Sequence, residues 1–183
     1  MKSGLKSGIV KLSPDRGDWP KRYRHEAMRL RKLTGNARYA LEHIGSTAIP
    51  GLDAKPIIDM AMLIPSFTRL PLWVARLEKA GYFYKGEYGL PGRHFFVKGN
   101  PVTHHLHLVI PGSEHWARWL LFRDYLRANP IEAKRYDEAK LKLARKYPTN
   151  REAYTRAKTP VINRLLNRAG IWLKTADRRP SPR

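Results

Sequence analysis

Residues 42–59 combine the residue types that contact phosphate groups and divalent metal ions. The block reads Glu-His-Ile-Gly-Ser-Thr-Ala-Ile-Pro-Gly-Leu-Asp-Ala-Lys-Pro-Ile-Ile-Asp. Gly45 lets the backbone approach a phosphate closely, and Ser46 and Thr47 supply hydroxyl and amide donors. Asp59 offers a hard oxygen ligand. The block therefore predicts a phosphate and metal pocket; the alternative is a strand that ends in an ordinary Gly-Ser turn.

Asp59 is the one charged residue in the apolar run from Pro56 to Ile64. An unpaired carboxylate is costly to bury, so this position needs a cation, a set of hydrogen-bond donors or an exposed strand end.

Histidines at two-residue spacing supply further candidate metal ligands. In residues 104–110, His105 and His107 are predicted to point to one face of a strand and His104 to the other. Neutral imidazoles prefer zinc, manganese, nickel or iron to magnesium. Asp59, His105 and His107 would form a two-histidine, one-carboxylate set, with His43 as a weaker addition. The alternative is that these histidines only hydrogen-bond to their neighbours.

Basic residues near the predicted cleft are candidates for binding phosphate oxygens. Lys55, Arg93 and Lys98 are assigned to this role, because arginine offers a two-pronged donor pair and lysine a point charge. A solvated surface explains Lys98 at least as well. Lys158 reaches the pocket only if the last helix packs against the sheet.

Arg123 is a further candidate ligand-binding residue. It precedes Asp124 directly, and adjacent residues do not share a helix face, so the two side chains are predicted to have different partners. For Asp124 the default expectation is a structural ion pair with a basic neighbour.

The spacing of apolar residues predicts an α+β domain with strands in the first two thirds and helices in the last third. Strands are expected at residues 9–12, 40–44, 56–64, 82–84, 93–98 and 104–110, the last two as a hairpin. Helices are expected at residues 21–33, 70–80 with Ser66 as a cap, from 113, at 130–145 and at 152–168. The last helix is expected to bend or divide near Pro160 and to end at Gly170.

The length and composition of the chain limit the number of domains and the classes of chemistry that it can carry. The chain of 183 residues predicts one domain over residues 1–170, followed by a basic tail at 171–183. The absence of cysteine excludes disulfides, thiolate metal sites and a cysteine nucleophile. No apolar stretch resembles a signal or a membrane span, which predicts a cytoplasmic protein.

The charge is strongly positive, with 36 Lys and Arg against 15 Asp and Glu and a formal net charge of +21. Such an excess predicts attraction to nucleic acid or to a phosphorylated small molecule. The alternative is that the charge only keeps the protein soluble.

Several long strings resemble the signature of the GrpB family. They are His43-Ile-Gly-Ser-Thr-Ala-Ile-Pro-Gly-Leu52, Lys55-Pro-Ile-Ile-Asp59, Thr103-His-His-Leu-His-Leu-Val109, Leu121-Phe-Arg-Asp-Tyr-Leu-Arg127 and Ala153-Tyr-Thr-Arg-Ala-Lys-Thr159. The resemblance covers residues 9–166, nearly the whole chain, and the strings occur in the family's order.

The resemblance implies a nucleotidyltransferase fold like that of polymerase β, with a mixed sheet, flanking helices and a helical C-terminal half. In that superfamily a Gly-Ser turn grips a nucleotide triphosphate, and a downstream strand carries two metal-binding carboxylates at alternate positions. The first position corresponds to Asp59. The second corresponds to Ala61, which cannot bind a metal.

Two classes of function follow from this resemblance. One is a nucleotidyltransferase-like protein that binds a nucleotide or phosphorylated ligand with Mg, Mn or Zn and transfers a nucleotidyl group to an acceptor. The other is a non-catalytic accessory module, since GrpB-like domains occur fused to dephospho-CoA kinase. The third hypothesis, nucleic-acid binding, rests on charge alone.

Overall fold

The computed structural model describes residues 4–6, 8–15, 17–34 and 39–176. The strands found there are β1 (Leu41–Ile44), β2 (Ile58–Leu63), β3 (Tyr82–Tyr84), β4 (His94–Lys98) and β5 (His104–Val109). The α-helices are α1 (Trp19–Leu33), α2 (Leu70–Lys79), α3 (Glu114–Ala128), α4 (Pro130–Lys146) and α5 (Arg151–Ala176). A short 3₁₀ turn at Ser46–Ala48 links β1 to β2. The predicted α+β class and the helical C-terminal half are confirmed.

The strands form one mixed sheet in the order β1-β2-β5-β4-β3. β2 and β5 run parallel, and the other neighbouring pairs are antiparallel, including the predicted β4–β5 hairpin. The parallel register places Asp59 beside His105 and Ala61 beside His107. Strand alternation then decides which face of the sheet each of these side chains occupies.

Each face of the sheet packs against its own set of helices. On one face, Met60 and Leu106 pack with residues of α1 and α2, including Leu30 and Leu77. The other face carries Asp59, Ala61, His105 and His107, and it lies next to α3, α4 and α5. The helices on that side form a second apolar cluster around Phe122, Tyr125, Leu126, Tyr136, Leu165, Leu166 and Ala169. Both sides of the sheet thus combine an apolar cluster with polar groups: Lys98 and Glu26 pair on the α1 side, and Asp59 and His105 pair on the other.

The predicted strand at residues 9–12 is wrong. This segment bridges elements instead of lying along a sheet edge: the Val10 amide donates to the Pro148 carbonyl over 2.8 Å, and Ser13 forms an isolated bridge with Ala54. Its backbone partners therefore lie in loops at the ends of the sheet and of α4, and no continuous ladder forms.

The predicted end of the last helix at Gly170 is also wrong. α5 continues through Pro160 and Gly170 to Ala176. Packing explains this, because Leu165 and Ala169 are buried and Trp172 contacts the Tyr125 ring beyond the glycine. The boundary proposed after residue 170 stays a prediction, and residues 177–183 of the predicted tail lie outside the described ranges.

α2 begins after Arg69, so Ser66 is not its N-cap as predicted. None of the helices in the described part of the chain is long and apolar enough to span a membrane.

Candidate functional site

Asp59 lies near the start of β2, on the sheet face that packs against the helical half. Its Oδ1 accepts a hydrogen bond of 2.6 Å from His105 Nδ1, and 30% of its side chain stays exposed. Gly45 in the turn after β1 passes directly over it: a Cβ at Gly45 would lie 2.8 Å from Asp59 Oδ2. Burial alone would raise the pKa of Asp59, but His105 and then Lys55 hold that pKa well below its usual range. Asp59 is therefore a stable carboxylate.

His105 connects Asp59 to the last helix. Its Nε2 lies 3.2 Å from Arg151 Nη2, and a guanidinium only donates, so Nε2 accepts and Nδ1 carries the proton shared with Asp59. The His105 side chain is 7% exposed, and burial lowers its pKa. The chain of contacts Asp59–His105–Arg151 joins β2, β5 and α5 and uses both ring nitrogens of the histidine.

His107 lies on the same sheet face in a separate environment. Its Nδ1 accepts from Arg93 Nη1 over 3.3 Å, and its ring packs between Phe95 and Trp119 at centroid distances of 5.0 and 4.9 Å. Burial lowers the pKa of His107 to about 3, so the imidazole is neutral. The His105 and His107 ring centroids are 6.5 Å apart.

These positions do not fit the predicted metal set. Within the described ranges, no three His, Asp or Glu side chains are grouped so as to hold a metal ion. His105 would have to release Asp59 or Arg151 to ligate one. His43 faces α1, where it stacks on Tyr23 at 4.7 Å and hydrogen-bonds with Thr47. Metal binding by Asp59, His105 and His107 stays a prediction, and it requires a rearrangement of these bonds.

A cavity of about 600 Å³ opens beside Asp59, between the Gly45 turn and the helical half. Its polar lining comes from the turn, from β2 and its preceding loop, and from α3 and α5: Gly45, Ser46, Thr47, Lys55, Asp59, Glu114, His115, Arg118, Thr155, Lys158, Thr159 and Asn163. Aromatic rings complete the wall: Trp119, Phe122, Tyr136 and Tyr154. The volume falls within the range of small-molecule sites.

Lys55 gives this cavity its electrostatic character. Burial, followed by the charges of Arg151 and Lys158, lowers the pKa of Lys55 to about 7, while Asp59 opposes the shift. No ion pair holds the Lys55 ammonium group within the described residues. Arg118 and Lys158 line the same cavity. These three cations face two lining carboxylates, Asp59 and Glu114, so the cavity has a small excess of positive charge when Lys55 is protonated.

Three predicted ligand-binding residues lie outside the cavity lining. Arg93 donates to the carbonyls of Glu87 and Tyr88 over 2.6 and 2.9 Å, so it holds the loop before β4. Lys98 pairs with Glu26 over 2.6 Å on the α1 side of the sheet. Both cations thus have structural partners.

Arg123 is the third of these residues. It donates to Glu42 over 2.6 Å and to the His43 carbonyl over 3.0 Å, which ties α3 to β1. Its Nε also donates to Asp124 over 2.7 Å. The prediction of different partners for Arg123 and Asp124 is wrong, because the long arginine side chain folds back over its neighbour. The structural ion pair expected for Asp124 is present.

Several lining residues carried no recognisable sequence signal. Arg118, Trp119 and Tyr136 are single positions on α3 and α4, and Arg151, which contacts His105 outside the lining, is the first residue of α5. Nothing in their spacing distinguishes them from core or surface residues. Lys158 was expected in the pocket only if the last helix packed on the sheet, and α5 does lie against it through Arg151 and His105.

Strand β1, the Gly-Ser turn and β2, which carries Asp59, belong to an α+β fold with one mixed sheet. A family model described as "GrpB protein" matches residues 9–168. The chain belongs to the GrpB family.

The crystal structure of the conserved protein GrpB from Enterococcus faecalis is similar to this chain. It is 32% identical with a TM-score of 0.77, and the match covers 86% of this chain and 98% of that one. The UPF0157 protein PA4798 of Pseudomonas aeruginosa is 46% identical over 87% of this chain and 67% of its own length. The UPF0157 protein YqkA of Bacillus subtilis is 40% identical, but the match covers only 43% of that protein.

A more distant match is the dephospho-CoA kinase of Mycolicibacterium paratuberculosis. It is 25% identical over 93% of this chain, and the aligned part makes up 48% of that protein. The chain is thus similar to about half of a longer protein.

Proposed function

We propose that the cavity beside Asp59 binds an anionic, phosphorylated ligand of about the size of a nucleotide. The observation that carries the proposal is the environment of Lys55, whose pKa is lowered to about 7 by burial and by the neighbouring charges of Arg151 and Lys158. An anion in the cavity would offset this repulsion and favour the protonated amine. Arginine and lysine are the usual partners of phosphate oxygens.

The composition of the lining supports a nucleotide or a related phosphorylated molecule. Ser46, Thr47 and Thr155 add hydroxyl-bearing side chains to the lining, and Trp119 and Tyr154 add aromatic surface. Ligand sites typically combine an apolar wall with a few convergent polar groups. Asp59 would repel an anion, but in the lining the cations Lys55, Arg118 and Lys158 outnumber the carboxylates Asp59 and Glu114 by one.

Transfer of a nucleotidyl group is the second candidate function. It is favoured by the position of Asp59 directly under the Gly45 turn. Ala61 occupies the position of the second carboxylate and is fully buried. The charge compensation that divalent ions give to phosphoryl transfer would then need ligands besides Asp59. A binding module without turnover, consistent with the similarity to part of a dephospho-CoA kinase, shares the same first step.

Calorimetric titration of the full chain with ATP, GTP, CTP, UTP and pyrophosphate tests the proposal. We expect saturable binding that weakens at least tenfold in Lys55→Met and in Lys158→Met, because each change removes a cation from the cavity. Lys142→Met removes an exposed lysine of α4 and should leave the affinity unchanged. Binding that is equal in all three variants would contradict the proposed site.

The same titration also tests the predicted requirement for a divalent metal. Each ligand is added with magnesium, manganese or zinc to the wild type and to Asp59→Asn. Metal-dependent binding that disappears in Asp59→Asn would favour the transferase candidate and justify a screen for acceptors. Binding that needs no metal and survives in Asp59→Asn would favour a non-catalytic binding module.

A further inference from the structure

Helix α1 carries a continuous row of cations on its outer surface. The exposed residues Lys21, Arg24, Arg31 and Lys32, with His25 and Met28 between them, are called the basic stripe. With 3.6 residues per turn these positions span about 120° of the helix circumference and about 16 Å of its length. Their spacing therefore places them on one face.

The opposite face of α1 is fixed in the protein core. Trp19, Ala27 and Leu30 are buried against the sheet, so the basic stripe points away from it. The rotation of the helix about its axis is set by this packing. The stripe is thus a surface that the fold holds outward.

The charge of the basic stripe is not neutralised locally. Glu26 is the one acidic residue of α1, and it is buried, where it accepts hydrogen bonds from Tyr82, Lys98 and Arg29. Within the described ranges, none of the four stripe cations takes part in a salt bridge. By contrast, basic residues of α4 and α5 such as Arg135 and Arg168 pair with Glu132.

We propose that the basic stripe binds the sugar-phosphate backbone of a nucleic acid without reading its base sequence. Successive phosphates of one strand lie about 3.4 Å apart along a duplex axis, so about five of them fall within the length of the stripe. Four uncompensated cations match that charge density. A contact of this kind is electrostatic and depends strongly on salt.

A nucleic acid fits the stripe better than a membrane surface does. Helices that lie in a lipid interface bury an apolar face among the acyl chains. The apolar face of α1 is already occupied by the protein core, and Met28 is the one large apolar side chain that α1 exposes. The stripe therefore offers attraction for phosphate but no apolar anchor.

The stripe is independent of the cavity. α1 covers the sheet face that carries Met60 and Leu106, whereas Asp59 and His105 lie on the opposite face. A nucleic acid on α1 would leave the cavity open, so the two proposals stand or fall separately.

The experiment measures fluorescence anisotropy of a labelled 20-nucleotide RNA and of a labelled 20-base-pair DNA duplex over a range of salt concentrations. It compares the full-length wild type with a stripe variant, Lys21→Gln/Arg24→Gln/Arg31→Gln/Lys32→Gln. The matched control is Lys134→Gln/Lys142→Gln/Arg145→Gln/Arg164→Gln, which removes four exposed cations from α4 and α5. Both variants lose the same formal charge, and urea unfolding verifies that both are folded.

We expect the slope of log K against log salt to fall by about 3 in the stripe variant, since each lost phosphate contact changes it by roughly 0.7 to 0.9. Affinity at low salt should fall at least about tenfold in the stripe variant and less than about threefold in the control variant. Equal losses in both variants would mean that binding follows total charge and would overturn the proposal. Absence of wild-type binding at low salt would overturn it as well.

Two further arms separate the sources of phosphate. Binding of RNA and DNA with similar slopes supports recognition of the shared backbone, and a slope change confined to one polymer would overturn that generality. Sedimentation with vesicles containing anionic lipid tests the membrane alternative. Vesicle binding lost only in the stripe variant, together with unchanged binding of both nucleic acids, would replace the proposal by a membrane contact.

Discussion

At the scale of single residues, the Gly45 turn and Asp59 depend on each other. Gly45 has φ +71° and ψ −170°, a conformation that is almost restricted to glycine, and it lies against the Asp59 carboxylate. The carboxylate in turn is held by His105. A glycine at this position therefore serves both the backbone conformation and the close approach to the aspartate.

Gly45→Ala should destabilise the protein by about 3 kcal/mol or more, because the conformational strain of about 1–3 kcal/mol adds to a steric overlap with Asp59. Gly51→Ala is the matched control: Gly51 has φ +77°, but a Cβ there would meet nothing within 4 Å. We expect that control to cost only about 1–2 kcal/mol. Urea unfolding measures both, and equal losses would contradict the close approach to Asp59.

Lys55 should make stability depend on pH. Burial and nearby cations lower its pKa from 10.5 to about 7 in the folded state, so the unfolded chain binds more protons between these two values. The titration of Lys55 therefore raises the free energy of unfolding as pH increases from 7 to 10.5, by at most about 1.4 kcal/mol per pH unit.

Urea unfolding at pH 7, 8, 9 and 10 tests this dependence with Lys55→Met. The methionine variant carries no partly buried ammonium group, so its stability relative to the wild type should be greatest at pH 7 and should decline toward pH 10. The exposed substitution Lys142→Met should follow the wild-type profile. A constant difference between Lys55→Met and the wild type would show that the Lys55 pKa is ordinary.

At the scale of elements, the helical half is attached to the sheet by a small number of polar contacts. Arg123 of α3 reaches Glu42 and the His43 carbonyl of β1, and Arg151 of α5 reaches His105 of β5. These contacts orient α3 and α5, the two helices that supply Arg118, Trp119 and Lys158 to the cavity. The cavity wall is thus positioned by arginine contacts as well as by apolar packing.

Arg123→Met should lower the free energy of unfolding by about 2 kcal/mol, since it removes a largely buried cation from two carboxylates and a carbonyl group. Both carboxylates are partly exposed, which limits the loss. Arg135→Met removes an exposed cation that pairs with Glu132 and should lower the free energy of unfolding by less than about 0.5 kcal/mol. Thermal or urea unfolding compares the two, and similar small losses would show that Arg123 does not anchor α3.

At the scale of the whole molecule, two apolar clusters share one five-stranded sheet. Leu77 belongs to the cluster on the α1 side and is fully buried, and Leu165 belongs to the cluster among α3, α4 and α5. The N-terminal segment adds links across both sides, since Ser13 pairs with the loop before β2 and Val10 with the loop after α4. Such an arrangement favours cooperative unfolding.

Leu77→Ala and Leu165→Ala should each lower stability by about 2–5 kcal/mol, the usual cost of removing a buried leucine side chain. If the two clusters form one cooperative unit, each variant shows a single urea transition with an unchanged slope. Circular dichroism and tryptophan fluorescence should give coincident curves. A biphasic curve in either variant would mean that the helical half unfolds separately.

The sequence by itself determined the features that depend on short-range regularities. Strand alternation put His105 and His107 on one face and His104 on the other, and the Gly-Ser turn followed directly from β1. The β4–β5 hairpin and the starts of most helices came from local turn and capping residues. Local geometry decides such features, because each involves atoms only a few residues apart along the chain.

Only the tertiary structure decided which distant side chains meet. The sequence could not show that Arg151 would reach His105, that Arg118 and Trp119 would line the cavity, or that Arg93, Lys98 and Arg123 would be held by structural partners. It also suggested an end of α5 at Gly170, where the packing of Trp172 continues the helix. The reason is physical: the placement of α3, α4 and α5 follows from burial of apolar surface between segments far apart in the chain, and the charged side chains then pair with whatever that packing brings near.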